Sequence, residues 1–237
     1  VLDTATNVGL HAEELYRSGV RCVMRYYNNK NVTLPEKRLT KTEAAQLTEG
    51  GLSLGIVFQQ RGGAGGHIED FETSDAKRDG TRALELAQDL GQPKGSAIYF
   101  AVDHDFIKTK DLKQIAGYFA TFMHLFDGRF RLGAYGSGHV LRMLLDADLI
   151  DLAWLAQSTG WTGYKAFVAS QDWALLQGRI QQWPKHGFGY DGNRVNPGYS
   201  DFGQFNLAAS AVPVPIQSTS RRMKKKILIR AVKKPKA

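Results

Sequence analysis

The sequence predicts an α/β chain folded as a single (β/α)8, TIM-like barrel with irregular last units and a basic C-terminal tail. Three observations carry this expectation. The chain has 237 residues, within the about 200–250 that one such barrel uses. Short apolar runs alternate with stretches of helical periodicity along the first two hundred or so residues, the pattern of parallel strands joined by helical crossovers. Eight such runs can be counted, which favours closure of the sheet, although an open doubly wound sheet shares the same alternation.

The first strand is the opening Val1-Leu2-Asp3. Runs at 20–27, 52–59, 97–102, 130–135, 152–156 and 179–183 supply the next six, and 187–191 the eighth. Helices fall between them. Residues 40–48 begin with Thr40, followed three residues later by Glu43, a capping-box signal. Residues 74–90 carry Ala83, Leu84, Leu86, Ala87 and Leu90 mostly on one face and stop at Gly91. Residues 109–126 place Leu112, Ile115, Phe119, Phe122, Met123 and Phe126 at three- and four-residue steps and stop near Gly128. A shorter helix is expected at 138–145 and a broken one at 164–176, with nothing helical after the eighth strand.

The barrel domain is expected over 1–207, a Pro- and Ser-containing linker over 208–220, and a basic, disordered tail over 221–237. Deleting 211–237 is expected to leave the fold intact. The net charge of +8 lies in that tail: nine of the 31 basic residues follow Ala211, so 1–210 holds 22 basic against 23 acidic side chains. An argument for nucleic-acid binding would rest on the tail alone, and the tail is expected to contact anionic surfaces. No run approaches the ~18–20 apolar residues of a membrane span, which excludes a transmembrane protein. The single cysteine, Cys22, excludes an internal disulfide and a cysteine-rich zinc site, and reads as a small core residue. The opening at Val1, without Met or leader, reads as a chain trimmed or cut from a longer protein.

Chemistry in such a barrel sits at the carboxyl ends of its strands. Asp3 ends the first strand, Asp103 and Asp105 follow the fourth, and Asp191 ends the eighth. Asp103 and Asp105 are two residues apart, so in extended chain both face one way and His104 the other. Two same-side acids at the end of a buried run cost desolvation and mutual repulsion. Such pairs suit reactions that need one proton-bearing and one ionised carboxyl, as in glycoside cleavage. They would also suit Mg²⁺ or Ca²⁺, and the plainer reading of Asp105 is a cap on the following turn. The histidines show no HExxH spacing, no metal site is assigned and no cofactor is expected. The segment from Arg61 to His67 is expected to be a mobile loop over the mouth rather than a phosphate cradle. Gly136-Ser137-Gly138 lacks the pattern of a nucleophile elbow. Tyr26, Tyr27, Tyr135, Trp154, Trp161 and Trp183 lie near strand ends, where rings could stack on sugars.

The pieces Val1-Leu2-Asp3-Thr4-Ala5-Thr6, Arg25-Tyr26-Tyr27, Ile98-Tyr99-Phe100-Ala101-Val102-Asp103-His104-Asp105, Gly133-Ala134-Tyr135-Gly136-Ser137, Ala153-Trp154-Leu155-Ala156, Gln182-Trp183 and Tyr190-Asp191-Gly192-Asn193 occur in this order. Together they resemble the bacterial glycoside-hydrolase-like domain that is itself similar to the family 25 lysozymes. The resemblance covers about 1–205. It implies a β/α barrel, often exported to the periplasm or cell wall, that acts on or binds peptidoglycan or another polysaccharide. Asp3, Asp103 and Asp191 match the three acids that surround the cleaved bond in those lysozymes, and Asp105 stands where they carry the proton-donating Glu. That shortens the acid by about 1.3 Å. Tyr27, Tyr135, Trp154, Gln182 and Asn193 are the residues expected to hold the sugar.

Two functions follow from the resemblance: a muramidase-type glycoside hydrolase, and a non-catalytic carbohydrate-binding module on the same barrel. A metal-dependent phosphoesterase using the acids as ligands is the third.

Overall fold

The computed structural model describes residues 1–30, 34, 36–60 and 67–207. The segment 61–66, the linker and the tail therefore lie outside the described residues. Eight strands close a barrel in chain order: β1 Leu2–Asp3, β2 Cys22–Tyr27, β3 Ser53–Phe58, β4 Ala97–Ala101, β5 Arg131–Gly136, β6 Leu152–Leu155, β7 Leu175–Gln182 and β8 Gly189–Val195. Six helices surround them: α1 Ala12–Arg17, α2 Lys41–Glu49, α3 Thr73–Leu90, α4 Thr109–Phe126, α5 Gly138–Asp146 and α6 Tyr164–Ser170. The sheet is closed, so the open-sheet alternative falls.

The last unit differs from the regular pattern. Strands β1 to β7 are parallel, but β8 is antiparallel to both β7 and β1. β7 begins at Leu175, four residues before the expected run, because α6 stops at Ser170 and Gln171 takes the left-handed conformation (φ 55°). β7 and β8 form a hairpin whose pairing continues through Gln181–Tyr190 to Gln182–Gly189. Two such strands need no helical crossover between them.

Alternation along each strand sorts the core into two bodies. Leu54, Ile56, Phe58, Ile98, Phe100, Leu132 and Ala134 point outward against the helices. Cys22, Met24, Val57, Tyr99, Leu152, Trp154 and Leu175 point inward and fill the barrel. Packing inside leaves room for glycine only at Gly133, where a Cβ would run into the buried Tyr99 ring. The chain after β8 runs beneath the amino-terminal ends of β3 and β4. Ala97 N donates to Gly203 O at 3.0 Å, Leu54 N to Phe205 O at 2.7 Å, and Tyr99 Oη to Phe202 O at 2.7 Å. Phe202 joins the interior cluster from this side. The lower end of the barrel is thus filled, and the polar side chains gather at the opposite, carboxyl end.

Thr40 Oγ1 accepts from Glu43 N at 3.1 Å, the first half of the expected capping box. The second half is absent because the Glu43 carboxylate is used elsewhere. It accepts from Arg25 Nε at 2.7 Å and Nη2 at 2.9 Å, both side chains fully buried, and from Val8 N at 3.1 Å. This ion pair pins α2 and the β1–α1 connection to the outer face of β2.

Candidate active site at the barrel mouth

Asp3 is the innermost carboxylate. It is 2% exposed, because β1 is only two residues long and its second residue faces into the barrel. Four contacts hold it. Asn193 Nδ2 donates to Oδ2 at 2.7 Å, Gln177 Nε2 reaches Oδ2 at 3.2 Å and Oδ1 at 3.4 Å, and Tyr26 Oη lies 3.5 Å from Oδ1. Burial outweighs these donors and lifts the carboxyl to about 7, with the Asp191 charge adding to the rise.

Asp191 pairs directly with Asp3 across β8 and β1. The expectation that Asp191 ends a parallel strand fails, yet it still reaches the mouth, since a reversed strand brings its early residues there. Its Oδ1 is buried and has no hydrogen-bond partner among the described residues. Desolvation raises its pKa.

Asp103 is half-buried just beyond β4 and accepts from Gln59 Nε2 at 3.1 Å through Oδ2. Asp3, Asp191 and Asp103 all act on the hydroxyls of Tyr26 and Tyr135, which burial and these charges together push above the ordinary tyrosine value. Three of the four expected acids therefore surround the same two phenols.

Asp105 is turned to a different task. Its Oδ2 accepts from both the backbone N and the Oγ1 of Thr162, each at 2.9 Å, which ties the end of β4 to the loop before α6. It caps that loop rather than its own turn. Its Oδ1 is buried without a partner among the described residues.

The expected sugar-holding residues divide in the same way. Tyr135 is half-buried, donates to Gln177 Oε1 at 2.9 Å and meets Trp154 edge-on at 5.1 Å. Trp154 is buried beneath it, and its Nε1 donates to Asn193 Oδ1 at 2.7 Å. Asn193 thereby links Trp154 to Asp3. Tyr27 is not brought to the mouth: its outward parity buries it in the helix–sheet layer, where its hydroxyl donates to Gln92 Oε1 at 2.9 Å. Gln182 is exposed far along the β7–β8 hairpin. Gln177, five residues earlier and facing inward, holds the place that Gln182 was expected to take.

Sequence reasoning missed Gln177, Gln59 and Lys37. The alternation of β7 would have found Gln177 once its start at Leu175 was known. Lys37, in the loop after β2, is 8% exposed and has no periodic signal. Its Nζ donates to Gln59 Oε1 at 3.0 Å and lies 4.9 Å from the centre of the Tyr26 ring. Burial draws its pKa down to about 8, against the pull of Asp103. Ser137 is the N-cap of α5, its Oγ accepting from Val140 N at 3.3 Å, and takes no part in the mouth. Among the described residues no group of three or more His, Cys, Asp or Glu side chains is arranged to hold a metal ion.

A family model described as "Rv2525c-like, glycoside hydrolase-like domain" matches residues 13–212. The chain belongs to this family. Its resemblance to the glycoside-hydrolase-like domains, carried by the strand-end motifs, thereby holds. Two Bacillus subtilis (strain 168) proteins are related to this Rv2525c-like domain: YbfG, 30% identical over 189 residues, and FadG, 26% identical over 171 residues. The matches cover 74% and 70% of this chain but 25% and 29% of those relatives, so the chain spans under a third of their length. Among solved structures, the Tat-secreted Rv2525c protein of Mycobacterium tuberculosis aligns with TM-score 0.71 at 22% identity, over 86% of this chain and 97% of that one. The modular autolysin LytC of Streptococcus pneumoniae aligns with TM-score 0.50 at 12% identity, over 81% of this chain and 46% of that one. The Bacillus cereus spore cortex-lytic enzyme SleL aligns with TM-score 0.50 at 10% identity, over 83% and 54%. At these identities the structural likenesses establish the fold, a glycoside-hydrolase-like barrel of the kind also found in cell-wall lytic enzymes. No helix among the described residues is long and apolar enough to cross a membrane.

Proposed function

We propose that this domain is a muramidase-type glycoside hydrolase that acts on bacterial peptidoglycan outside the cytoplasm. The observation that carries the reading is the placement of Asp103 and Asp191, beside the enclosed Asp3, around Tyr26 and Tyr135 at the barrel's polar end, with Asp105 just beyond Asp103. Carboxyls in unlike environments side by side are what glycoside cleavage requires. LytC, solved with a synthetic peptidoglycan ligand, and SleL, a spore cortex-lytic enzyme, lend support through the shared fold, and the Tat-secreted relative supports an exported setting.

In this reading Asp105 gives its proton to the glycosidic oxygen as the bond to the anomeric carbon breaks, and the bonding electrons leave with that oxygen. Asp103, steadied by Gln59, or Asp191 faces the developing positive charge or the substrate's N-acetyl group. Water then adds to the anomeric carbon and returns a proton to Asp105. Asp3 is too enclosed to meet the sugar and acts as a positioning residue for Gln177 and Asn193. Tyr135 offers the ring against which a sugar packs.

The hold of Thr162 on Asp105 favours a second reading, a carbohydrate-binding module without turnover. Reducing-end release from purified peptidoglycan separates the two. The hydrolase reading expects release by the wild type, lost in Asp103→Asn and Asp105→Asn and kept or raised in Asp105→Glu. Sedimentation with insoluble peptidoglycan and no new reducing ends from either wild type or Asp105→Glu would establish the binding module instead.

A further inference from the structure

We infer that Lys37 is a positioning residue for Asp103, acting through the side-chain amide of Gln59. The inference rests on the glycosidase reading only for its effect on rate, since the contacts themselves are independent of it.

The argument begins with what each group can do in a hydrogen bond. An ammonium group donates and cannot accept, and a carboxylate accepts and cannot donate. A primary amide between them has one arrangement that serves both: its oxygen toward the lysine and its nitrogen toward the acid. Gln59 has this arrangement, with Lys37 Nζ 3.0 Å from Oε1 and Nε2 3.1 Å from Asp103 Oδ2. The opposite amide orientation would set donor against donor at Lys37 and oxygen against oxygen at Asp103. Lys37 therefore reinforces, from the oxygen side, the orientation in which Gln59 donates to the acid.

The surroundings keep the three groups in place. Gln59 N donates to Tyr27 O at 3.0 Å, which continues the β2–β3 ladder one step beyond the strand and fixes where its side chain starts. Lys37 N donates to Leu34 O at 3.1 Å within its own loop, while Arg25 Nη2 donates to Glu36 O at 2.8 Å and Leu39 N to Tyr26 O at 2.9 Å, so the loop that carries Lys37 is bonded to β2 on both sides of it. The Lys37 ammonium lies over the Tyr26 ring from β2, and Tyr26 Oη in turn faces Asp3. The charges around this lysine are Asp103 beyond β4, with Asp3 from β1 and Asp191 from β8 on the far side of Tyr26, and Arg25 on the outer face of β2, which is paired with Glu43. The three that face the mouth are acids. The buried Lys37 thus serves a mouth built of carboxylates, and the amide conveys its effect to Asp103.

The lysine has a titration within reach of experiment. It is drawn down to about 8, so the relay is intact below that pH and is released as pH rises through it. Neutral Lys37 still donates but without its charge, so its bond to Gln59 Oε1 weakens while the Asp103 carboxylate alone continues to hold the amide nitrogen.

The test follows the Gln59 side-chain NH₂ resonances by NMR, identified by their absence in Gln59→Leu. In the wild type they are expected to shift with a midpoint near pH 8, and in Lys37→Met that step should disappear while the thermal midpoint shows the variant to be folded. A step that persists in Lys37→Met, or its absence in the wild type, overturns the relay. Should Lys37→Met fail to fold, Lys37→Arg keeps the question open to decision: the permanently charged guanidinium must retain the Gln59 resonances without the step. On peptidoglycan, Lys37→Met is expected to lower kcat about tenfold or more with little change in KM, the loss of one hydrogen bond to a charged group. The double variant with Gln59→Leu should lose no more than either alone. A wild type without turnover but with the pH 8 step removes the glycosidase reading and leaves the relay standing. Turnover that Lys37→Met and Gln59→Leu both leave unchanged removes the relay's role and leaves the glycosidase reading standing.

Discussion

Replacing Asp3 by Asn should change how stability depends on pH, by an amount that follows from its burial. The Asp3 carboxyl is raised from 3.8 to about 7, so the folded state holds the proton more tightly than the unfolded chain. Below pH 3.8 both states are protonated and the group contributes nothing. Between 3.8 and about 7 the unfolded chain releases its proton first, and stability falls as pH rises. Above about 7 the whole cost is present, about 4 kcal/mol at about 1.36 kcal/mol per pH unit. Asparagine has no such proton. The unfolding free energy of Asp3→Asn relative to wild type should therefore move in the variant's favour by about 4 kcal/mol between acid and mildly alkaline conditions.

A constant offset accompanies this change. Asn193 Nδ2 and Gln177 Nε2 both donate to Oδ2, where the asparagine oxygen can sit, but the amide nitrogen then replaces Oδ1 and cannot accept the longer contact from Gln177. That loss is about 1 kcal/mol and independent of pH. The informative quantity is thus the pH dependence of the difference, measured by urea unfolding of both chains across the range, where the other titrating groups largely cancel. A difference flat to within about 1 kcal/mol would show that Asp3 ionises as in water. The mouth would then be open to solvent down to β1, and the argument from burial would fail.

Two further outcomes concern the frame around the site. Glu43→Gln leaves the Arg25 guanidinium buried without its counter-charge, and should cost about 3–5 kcal/mol, or roughly 6–20 °C in Tm, read by calorimetry; a loss under about 1 kcal/mol would mean that Arg25 finds another partner. Glu14→Ala removes the acceptor shared by Trp183 Nε1, Lys185 Nζ and His186, which fastens the hairpin end to α1. Amide exchange should quicken across 182–189 and stay unchanged in α4, and equal protection in both chains would show that the stacked Trp183 and Phe188 rings hold the hairpin alone.

The barrel was legible because its signals are local. The alternation on β2 to β6, the stops at Gly91 and Gly128 and the cap at Thr40 each depend on a few neighbouring residues, and each element formed where expected. The end of the chain was not legible for a reason of the same kind. Residues 175–182 contain Leu175 and Leu176 followed by mostly polar side chains, because only the first part of β7 lies in the barrel wall and the rest is exposed hairpin. Apolar runs cannot mark a strand that is mostly exposed. Strand direction is also invisible to periodicity, since a period of two reads the same in either sense. The acids were found because carboxylates after apolar runs stand out. Lys37 and Gln59 come from connections, where neither period nor composition distinguishes a site residue from a surface one.

The reversed β8 is also what makes the buried acid tenable. Gln177 on β7 and Asn193 on β8 are cross-strand partners, both facing inward, and both give an amide N–H to Asp3. Asn193 further accepts from Trp154, and Gln177 from Tyr135, so each amide is fixed at its oxygen and cannot turn its nitrogen away. A helix-connected parallel strand would instead bring its last residues to the mouth, and the two amides would not share one level beside β1. Four side chains from β5 to β8 thus set the donors around a carboxylate on β1, while Lys37, in the loop after β2, and Gln59, just past β3, do the same for Asp103. The mouth is divided into two hydrogen-bonded halves, each orienting one acid from groups that can only present a donor to it. A carbohydrate entering between them meets Asp103 already aimed, which is a requirement that hydrolysis and specific binding share.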